Sequence, residues 1–324
     1  MRGVELTPEI PVDDVVDLGI AAEENGFDAV FASSHYNNRD PFQALARVAA
    51  ATESIRVGPG VANPYESHPV ALASRVATLQ EDSGGRAVFG LGAGDRSTLR
   101  NLGVDRDRPL RRVLETMRVA RRLFAGERVD HEGTFSVEDA GLNYAVDDVP
   151  VYVGAQGPHM LRMAGKHADG VLVNASHVDD VAWAADRIAE GVSERPGDRE
   201  APEVLAYASV SVARDADAAR EAARPPVAFI AGGADDRVLE RHGIDADRAA
   251  AIGDHIEAGR FDEAFAAVTA PMLEAFSIAG TVEDVAARFR RVRRHADGIV
   301  VGAPLGPNRE TAIDLGAAAL SRLD

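Results

Sequence analysis

The stretch Ile55-Arg56-Val57-Gly58-Pro59-Gly60-Val61-Ala62-Asn63-Pro64-Tyr65 decides the fold, because an apolar β-like run passes there into a glycine- and proline-rich motif. Four further apolar runs end in the same way, in the motifs Ser33-Ser34-His35-Tyr36-Asn37-Asn38-Arg39, Gly92-Ala93-Gly94-Asp95, Gly154-Ala155-Gln156-Gly157-Pro158 and Asn174-Ala175-Ser176. A helical stretch follows each motif. Consecutive strand-to-helix junctions with unusual residues are typical of a (β/α) barrel, in which the carboxyl ends of the strands carry the active site.

Apolar runs and helical stretches alternate along the whole chain and predict eight strands. The predicted strands are Gly3–Leu6, Phe27–Ala32, Ile55–Pro59, Ala87–Leu91, Val151–Val153, Gly170–Val173, Val204–Val212 and Gly298–Val301. The predicted helices include Val12–Asn25, Pro41–Thr52, Pro69–Asp82, Pro109–Ala125, Pro158–His167 and Val178–Val192. Eight parallel strands close a (β/α)8 TIM barrel, and an open doubly wound α/β sheet is the alternative.

Two stretches interrupt the alternation and are interpreted as insertions into a single domain over residues 1–324. Residues of about 126–149 contain a predicted β-hairpin, Val129–Val137, with its turn at Glu132-Gly133. Residues of about 216–294 are too many for one crossover, and they predict several helices. Such a helical insertion is expected to cap the pocket or to form a subunit interface.

Composition excludes several classes of function. The 324 residues contain no cysteine, so disulfides, thiolate nucleophiles and iron–sulfur clusters are excluded, and a redox role would need an organic cofactor. The net charge of −17 opposes binding to nucleic acid or to an acidic membrane. With 52 acidic residues and a single lysine, Lys166, the surface is typical of a protein adapted to molar salt. No membrane span or signal peptide is expected, which favours a soluble cytoplasmic protein.

Few polar residues suggest chemistry on their own. Glu5 lies near the end of the first strand, where a carboxylic acid in an apolar barrel mouth could donate a proton, although an outward-facing glutamate fits equally well. His35 and Asn37 could hold a ligand, and the bend at Gly60 could support a flat ring or form a plain strand exit. Histidine spacing predicts no metal site, and no nucleophile elbow supports a hydrolase. The turn Ser83-Gly84-Gly85-Arg86 lies at a strand start and is expected to be structural.

The chain resembles the methylenetetrahydromethanopterin reductases, barrels of the bacterial-luciferase-like superfamily that use coenzyme F420, an 8-hydroxy-5-deazaflavin. The resemblance covers essentially the whole chain, and the segments that carry it are His35-Tyr36-Asn37-Asn38-Arg39, Gly58-Pro59-Gly60-Val61, Asn63-Pro64-Tyr65, Ser83-Gly84-Gly85-Arg86-Ala87-Val88, Leu123-Phe124-Ala125-Gly126-Glu127-Arg128-Val129, Gly154-Ala155-Gln156-Gly157-Pro158, Asp169-Gly170-Val171-Leu172-Val173-Asn174-Ala175-Ser176, Leu239-Glu240-Arg241-His242-Gly243-Ile244-Asp245 and Met272-Leu273-Glu274-Ala275-Phe276-Ser277-Ile278. It implies hydride transfer from the reduced deazaflavin to a methylene group on a tetrahydropterin, which becomes a methyl group.

The resemblance also implies roles for individual residues. Glu5 is expected to be the acid that protonates the bridging nitrogen, and a non-prolyl cis peptide is expected at Gly60-Val61. The implied cofactor-binding residues are His35, Asn37, Gly60, Val61, Asn63, Gly92, Ala93, Gly94, Asp95, Gln156, Gly157, Asn174, Ala175 and Ser176. No metal is required, and a homodimer or homotetramer is expected.

The chain departs from the family pattern at two places. Ser34 stands where the family usually has an aspartate, and Gly92-Ala93-Gly94-Asp95-Arg96 replaces Gly-Pro-Gly-Asp-Lys. Methanopterin and folate therefore both remain open as the one-carbon carrier. Another F420-dependent dehydrogenase, an FMN-dependent monooxygenase and a non-enzymatic flavin-binding protein are the alternative functions.

Overall fold

A computed structural model describes residues 1–197 and 199–323, and these contain eleven strands and fourteen helices. The strands are β1 Arg2–Glu5, β2 Ala29–Ala32, β3 Arg56–Pro59, β4 Phe89–Leu91, β5 Val129–Glu132, β6 Ser136–Ala140, β7 Val151–Ala155, β8 Gly170–Asn174, β9 Glu203–Val212, β10 Ile278–Gly280 and β11 Gly298–Leu305. The helices are α1 Val12–Glu24, α2 Pro41–Ala51, α3 Pro69–Asp82, α4 Arg96–Asn101, α5 Pro109–Phe124, α6 Pro158–His167, α7 Val178–Val192, α8 Ala216–Gly232, α9 Asp236–Arg241, α10 Ala246–Glu257, α11 Phe261–Ala266, α12 Ala270–Phe276, α13 Val282–Val292 and α14 Arg309–Ser321.

Eight strands follow one another in a sheet in the order β3-β2-β1-β11-β9-β8-β7-β4. The first and last strands of this order, β3 and β4, are joined by parallel bridges between Val57 and Ala87 and between Ala62 and Leu91. The sheet is therefore a nearly closed parallel (β/α)8 barrel, which confirms the predicted fold. The alternative of an open doubly wound sheet is wrong.

The chain divides by its contacts into two compact units. The first comprises residues 1–174 and 184–205, and the second comprises residues 175–183 and 206–324. The interpretation of the whole chain as one domain stays a prediction. Within the described residues, no helix combines the length and the apolarity that crossing a bilayer requires.

The first unit contains a consecutive run of six barrel strands. β1, β2 and β3 pair in parallel, as do β4, β7 and β8, and the bridges between β3 and β4 join the two groups. Its core contains the fully buried rings of Phe31 and Phe89. α2, α3, α5 and α6 each begin with a proline in the first turn, as predicted, because proline lacks the N–H that would be unpaired there.

The turn Ser83-Gly84-Gly85-Arg86 follows α3 and lies at the end of the barrel where the strands begin. The Arg86 guanidinium donates to the carbonyl oxygens of Ala49, Thr52, Ile55 and Ser83 at 2.6–3.0 Å. These bonds satisfy carbonyls at the end of α2 and hold α2, α3 and β3 together, so the structural role expected for the turn is supported by its contacts.

The predicted hairpin is present as β5 and β6, but Glu132 pairs with Ser136 at the end of β5, so the turn lies at residues 133–135 and not at Glu132-Gly133. Buried Glu115 of α5 holds it, because its Oε2 accepts hydrogen bonds from the backbone N and the hydroxyl of Thr134, both at 2.7 Å. Arg111 donates to the other carboxylate oxygen at 2.7 Å. The ring of His131 lies 3.3 Å from the same carboxylate.

The second unit contains β10, β11, most of β9 and the helices from α8 to α14. Its insertion helices share an apolar core that includes Leu239, Ile252 and Met272. Asp180 in the first turn of α7 accepts hydrogen bonds from Arg241 and from His242, the latter at 2.7 Å, and so attaches α9. Several helices were predicted here, whereas the short strand β10, which pairs in parallel with β9, was not.

Candidate functional site

The bent end of β3 forms the centre of the candidate site in the first unit. The peptide bond between Gly60 and Val61 is cis, at the position that the resemblance implies. The Gly60 N–H donates to the Ala32 carbonyl at 2.8 Å, and the Ala62 N–H donates to the Gly90 carbonyl at 2.9 Å. The cis peptide is therefore held between the carboxyl ends of β2 and β4.

Glycines surround the Val61 side chain. A β-carbon at Gly92 would lie 2.4 Å from Val61 Cγ2, and one at Gly154 would lie 3.1 Å from Cγ1. Gly90 approaches β3 even more closely, since its β-carbon would lie 1.8 Å from the Pro59 carbonyl oxygen. Side chains at these positions would displace Val61 or β3, so the three glycines fix where Val61 lies.

Asn63 connects this loop to the end of β4. It is buried, and its Oδ1 accepts hydrogen bonds from the backbone N–H groups of Tyr65 and Glu66 at 3.1 and 3.0 Å. Gly94 has a φ of 74°, and a β-carbon there would lie 3.0 Å from Asn63 Cγ. The positive φ and the close approach both favour glycine.

Asp95 caps α4, since its Oδ1 accepts from the N–H groups of Ser97 and Thr98 at 2.9 and 3.0 Å and from the Ser97 hydroxyl. Burial alone would raise the pKa of Asp95, but these hydrogen bonds and the charge of His35 hold that pKa below its ordinary value. The carboxylate of Asp95 therefore remains ionised at neutral pH.

Glu5 lies at the end of β1, opposite Phe31 of β2. It is 4% exposed, and the Thr7 hydroxyl donates to its Oε1 at 2.6 Å. Ser33, just beyond β2, is also buried, and its hydroxyl has no hydrogen-bond partner in the described structure. A buried hydroxyl without a partner is uncommon and indicates a place where a bound molecule can supply one.

The remaining predicted residues of the first unit are less closely connected to the bent end of β3. Gln156 Nε2 donates to the Asn174 carbonyl at 3.5 Å, and both residues are exposed at the ends of β7 and β8. Asn37 is exposed in the turn after His35, Ala93 is half-buried between Gly92 and Gly94, and Gly157 caps α6 with open space around it.

Two predicted residues belong to the second unit. Ser176 is buried, and its hydroxyl accepts a hydrogen bond from the Ser209 backbone N–H at 3.0 Å. The Ser209 hydroxyl donates to the Ala303 carbonyl at 2.9 Å, next to the cis peptide Ala303–Pro304. Ala175 is half-buried beside Ser176.

Several residues near the bent end of β3 could not be predicted from the sequence. Gly154 belongs to the motif Gly154-Ala155-Gln156-Gly157-Pro158, but nothing in the sequence indicates that it faces Val61. The guanidinium of Arg112 stacks over the Tyr65 ring at 4.8 Å and donates to the Pro64 carbonyl at 2.8 Å. Arg106 donates to the Gly94 carbonyl at 2.9 Å. Both arginines stand in charge-rich segments that look like ordinary solvated surface, so only the fold reveals their place. Among the described residues, no group of three or more histidines and carboxylates could hold a metal ion.

Comparison with known proteins agrees with this arrangement. The family model for luciferase-like monooxygenases matches residues 2–299. The chain belongs to the luciferase-like family. It is 42% identical over 316 residues to the 5,10-methylenetetrahydromethanopterin reductase of Methanolobus tindarius, with 97% of each chain covered. It is 39% identical over 319 residues to the reductase of the same name from Archaeoglobus fulgidus, with 97% of this chain and 96% of the relative covered.

A solved structure superposes on the whole chain. The coenzyme F420-dependent tetrahydromethanopterin reductase of Methanopyrus kandleri matches with a TM-score of 0.93 at 37% identity, covering 100% of this chain and 99% of the other. A second F420-dependent protein, a secondary alcohol dehydrogenase, matches with a TM-score of 0.81 at 20% identity, a likeness of fold alone. The similarity of this luciferase-like chain to the reductases therefore extends over its full length and is not limited to a common barrel fold.

Proposed function

We propose that the chain is a coenzyme F420-dependent oxidoreductase that reduces a 5,10-methylene-tetrahydropterin to its 5-methyl form. The observation that carries the proposal is the buried carboxyl group of Glu5 at the end of β1, which accepts a hydrogen bond from the half-buried Thr7, together with the buried Ser33 hydroxyl just beyond β2, which has no partner among the described residues. The reductases that resemble the chain over its full length support the same reaction.

The residues at these strand ends fit a deazaflavin. Val61 presents a small apolar side chain that three glycines hold in place, and a flat ring can pack against such a surface. The Ser33 hydroxyl is a buried polar group that a ring oxygen or nitrogen could satisfy. Asn63, Gly92 and Gly94 would border the same ligand. When bound in its reduced form, coenzyme F420 would supply a hydride.

Glu5 is the residue proposed to move a proton. Its carboxyl group is buried, and the Thr7 hydroxyl fixes its orientation. A methylene bridge between two pterin nitrogens opens when one nitrogen is protonated, and a positioned carboxylic acid can deliver that proton. The acid would then leave an electrophilic carbon that accepts a hydride.

Positioning would supply most of the remaining acceleration. The glycines around Val61 and the hydrogen bonds of Gly60 and Ala62 leave the cis peptide little freedom. Holding two reacting carbons in contact replaces a bimolecular encounter by an intramolecular one. The buried walls also exclude water from the carboxyl group of Glu5.

The proposal is tested by an anaerobic assay. The assay follows the reoxidation of reduced coenzyme F420 in the presence of methylene-tetrahydromethanopterin or methylene-tetrahydrofolate. We expect turnover with at least one pterin and a loss of about 100-fold or more in kcat in Glu5→Gln, because the acid is removed. The Glu24→Gln variant, at the exposed end of α1, should retain full activity. F420 binding without turnover on either pterin would contradict the proposal and favour another F420-dependent dehydrogenase. Tight binding of FMN would favour a monooxygenase.

We further propose a cytoplasmic homo-oligomer adapted to high salt. The net charge of −17 supports the salt adaptation. The insertion helices expose Phe229 and Phe261, which lie 6.1 Å apart, and Phe265 lies within 6.3 Å of both. An exposed aromatic cluster supports association with a second copy of the chain.

A further inference from the structure

Two arginines without a carboxylate partner lie beside the candidate cofactor site in the first unit. Arg106 is half-buried, and its Nη1 donates to the Gly94 carbonyl at 2.9 Å. Arg96 is exposed at the start of α4, directly after Asp95. In the part of the chain that the structure describes, neither guanidinium forms an ion pair.

The positive charges of these arginines act on each other. Burial, followed by the charge of Arg96, lowers the pKa of the Arg106 guanidinium, and Tyr65 and Asp95 offset this only in part. Asp95 caps α4 through its Oδ1, which accepts three hydrogen bonds, and it forms no ion pair with either arginine among the described residues. A half-buried cation that lies near a second, exposed cation is stabilised when an anion binds between them.

Two neighbouring acids, Asp107 and Glu115, have other partners. Asp107 forms an ion pair with Arg108 at 2.8 Å, and Glu115 accepts from Arg111 while it holds the hairpin. Residues 92–112 contain six arginines and three aspartates, although the whole chain carries a charge of −17. A local positive region attracts anions, whereas the acidic surface of the rest of the protein repels them.

The arginines are also next to the cis peptide. Gly94, whose carbonyl Arg106 binds, lies against the Asn63 side chain, and Asn63 follows Val61 by two residues. A ligand ring packed at Val61 would therefore have its side chain within reach of this region. Guanidinium groups bind phosphates and carboxylates through paired hydrogen bonds, which makes such anions the ligands that suit the pair.

We infer that Arg96 and Arg106 bind an anionic group, a phosphate or a carboxylate, on the side chain of the cofactor or of the pterin. This inference rests on the proposed function and assigns residues to the part of the ligand that does not react. The two arginines would raise affinity without changing the chemical step, because they contact a remote anion.

Substitution of Arg96 tests the inference, since the Arg96 side chain forms no hydrogen bond or ion pair with any residue that the structure describes. We expect Arg96→Gln to weaken F420 binding about tenfold, the effect of one lost charge-assisted hydrogen bond. Affinity for the same deazaflavin ring without its phosphate and glutamate side chain should not change, nor should kcat at saturation. Arg96→Lys should retain part of the affinity. Arg118→Gln on the outer face of α5, where the Arg118 charge acts on His167, is the matched control and should bind normally.

The outcomes separate the two sources of the anion. An unchanged F420 dissociation constant with a tenfold higher KM for the pterin would place the anion on the pterin side chain and would still support the inference. Unchanged affinity for both ligands would overturn it, as would an equal loss of affinity for the ring alone. A wild-type protein that neither binds F420 nor turns over a pterin would instead contradict the proposed function.

Discussion

At Gly92, a β-carbon would lie 2.4 Å from Cγ2 of Val61, well inside van der Waals contact. We therefore expect Gly92→Ala to displace Val61 and to weaken F420 binding by about 1–3 kcal/mol, the usual cost of overpacking. Fluorescence titration of F420 would measure the change. Gly141→Ala is the control, because its β-carbon would meet no atom closer than Arg128 Cγ at 3.5 Å. If Gly92→Ala bound F420 as tightly as the wild type, Val61 would not face the bound ring.

Residue identity alone could not reveal these contacts. The resemblance implied Gly60, Val61 and Gly92 as neighbours of the cofactor, and the cis peptide is present where it was expected. Gly154 and Arg106 were missed, because their roles depend on which strands lie side by side and how closely they approach. A glycine in a sequence indicates close approach without naming the partner, and an arginine among aspartates looks like solvated surface.

The hairpin of β5 and β6 depends on the carboxylate of Glu115. Burial alone would raise the pKa of Glu115, but hydrogen bonds from Thr134 and Arg111 lower it from 4.5 to about 2. A lowered pKa means that this stabilisation is complete above pH of about 4.5 and is lost as the pH falls towards 2. We expect Glu115→Gln to lower the free energy of unfolding at pH 7 by about 2 kcal/mol.

Urea unfolding followed by circular dichroism at several pH values would measure this effect. The difference between the wild type and Glu115→Gln should shrink between pH of about 4.5 and pH of about 2 as the wild-type carboxylate is protonated. Glu138→Gln, on an exposed position of β6, should unfold like the wild type throughout. A difference that did not depend on pH would show that the ionised carboxylate is not what holds the hairpin.

Long periodic elements were predictable and short ones were not. α3, α6 and α7 have the predicted bounds, because proline starts and apolar periodicity mark the first two and periodicity marks the third. α4 and β10 contain only six and three residues, too few to show a period. β4 begins at Phe89 and not at Ala87, since ladder hydrogen bonds and not apolarity define its start.

At the scale of the whole molecule, 52 acidic residues against 35 basic ones leave a charge of −17 that repels itself in the folded state. Salt shortens the range of this repulsion from about 10 Å at 0.1 M to about 3 Å at 1 M. We therefore expect the melting temperature to rise steadily as KCl is raised from 0.1 to 2 M.

A triple variant separates charge repulsion from a general effect of salt on burial. Asp17→Asn, Asp186→Asn and Asp254→Asn remove exposed mid-helix carboxylates of α1, α7 and α10. At 0.1 M KCl the triple variant should be more stable than the wild type by about 1 kcal/mol, or about 3 °C. The two proteins should converge at 2 M, because screening removes the same repulsion that the substitutions remove. Parallel melting curves at every salt concentration would contradict charge repulsion, because salts that strengthen apolar burial stabilise both proteins equally.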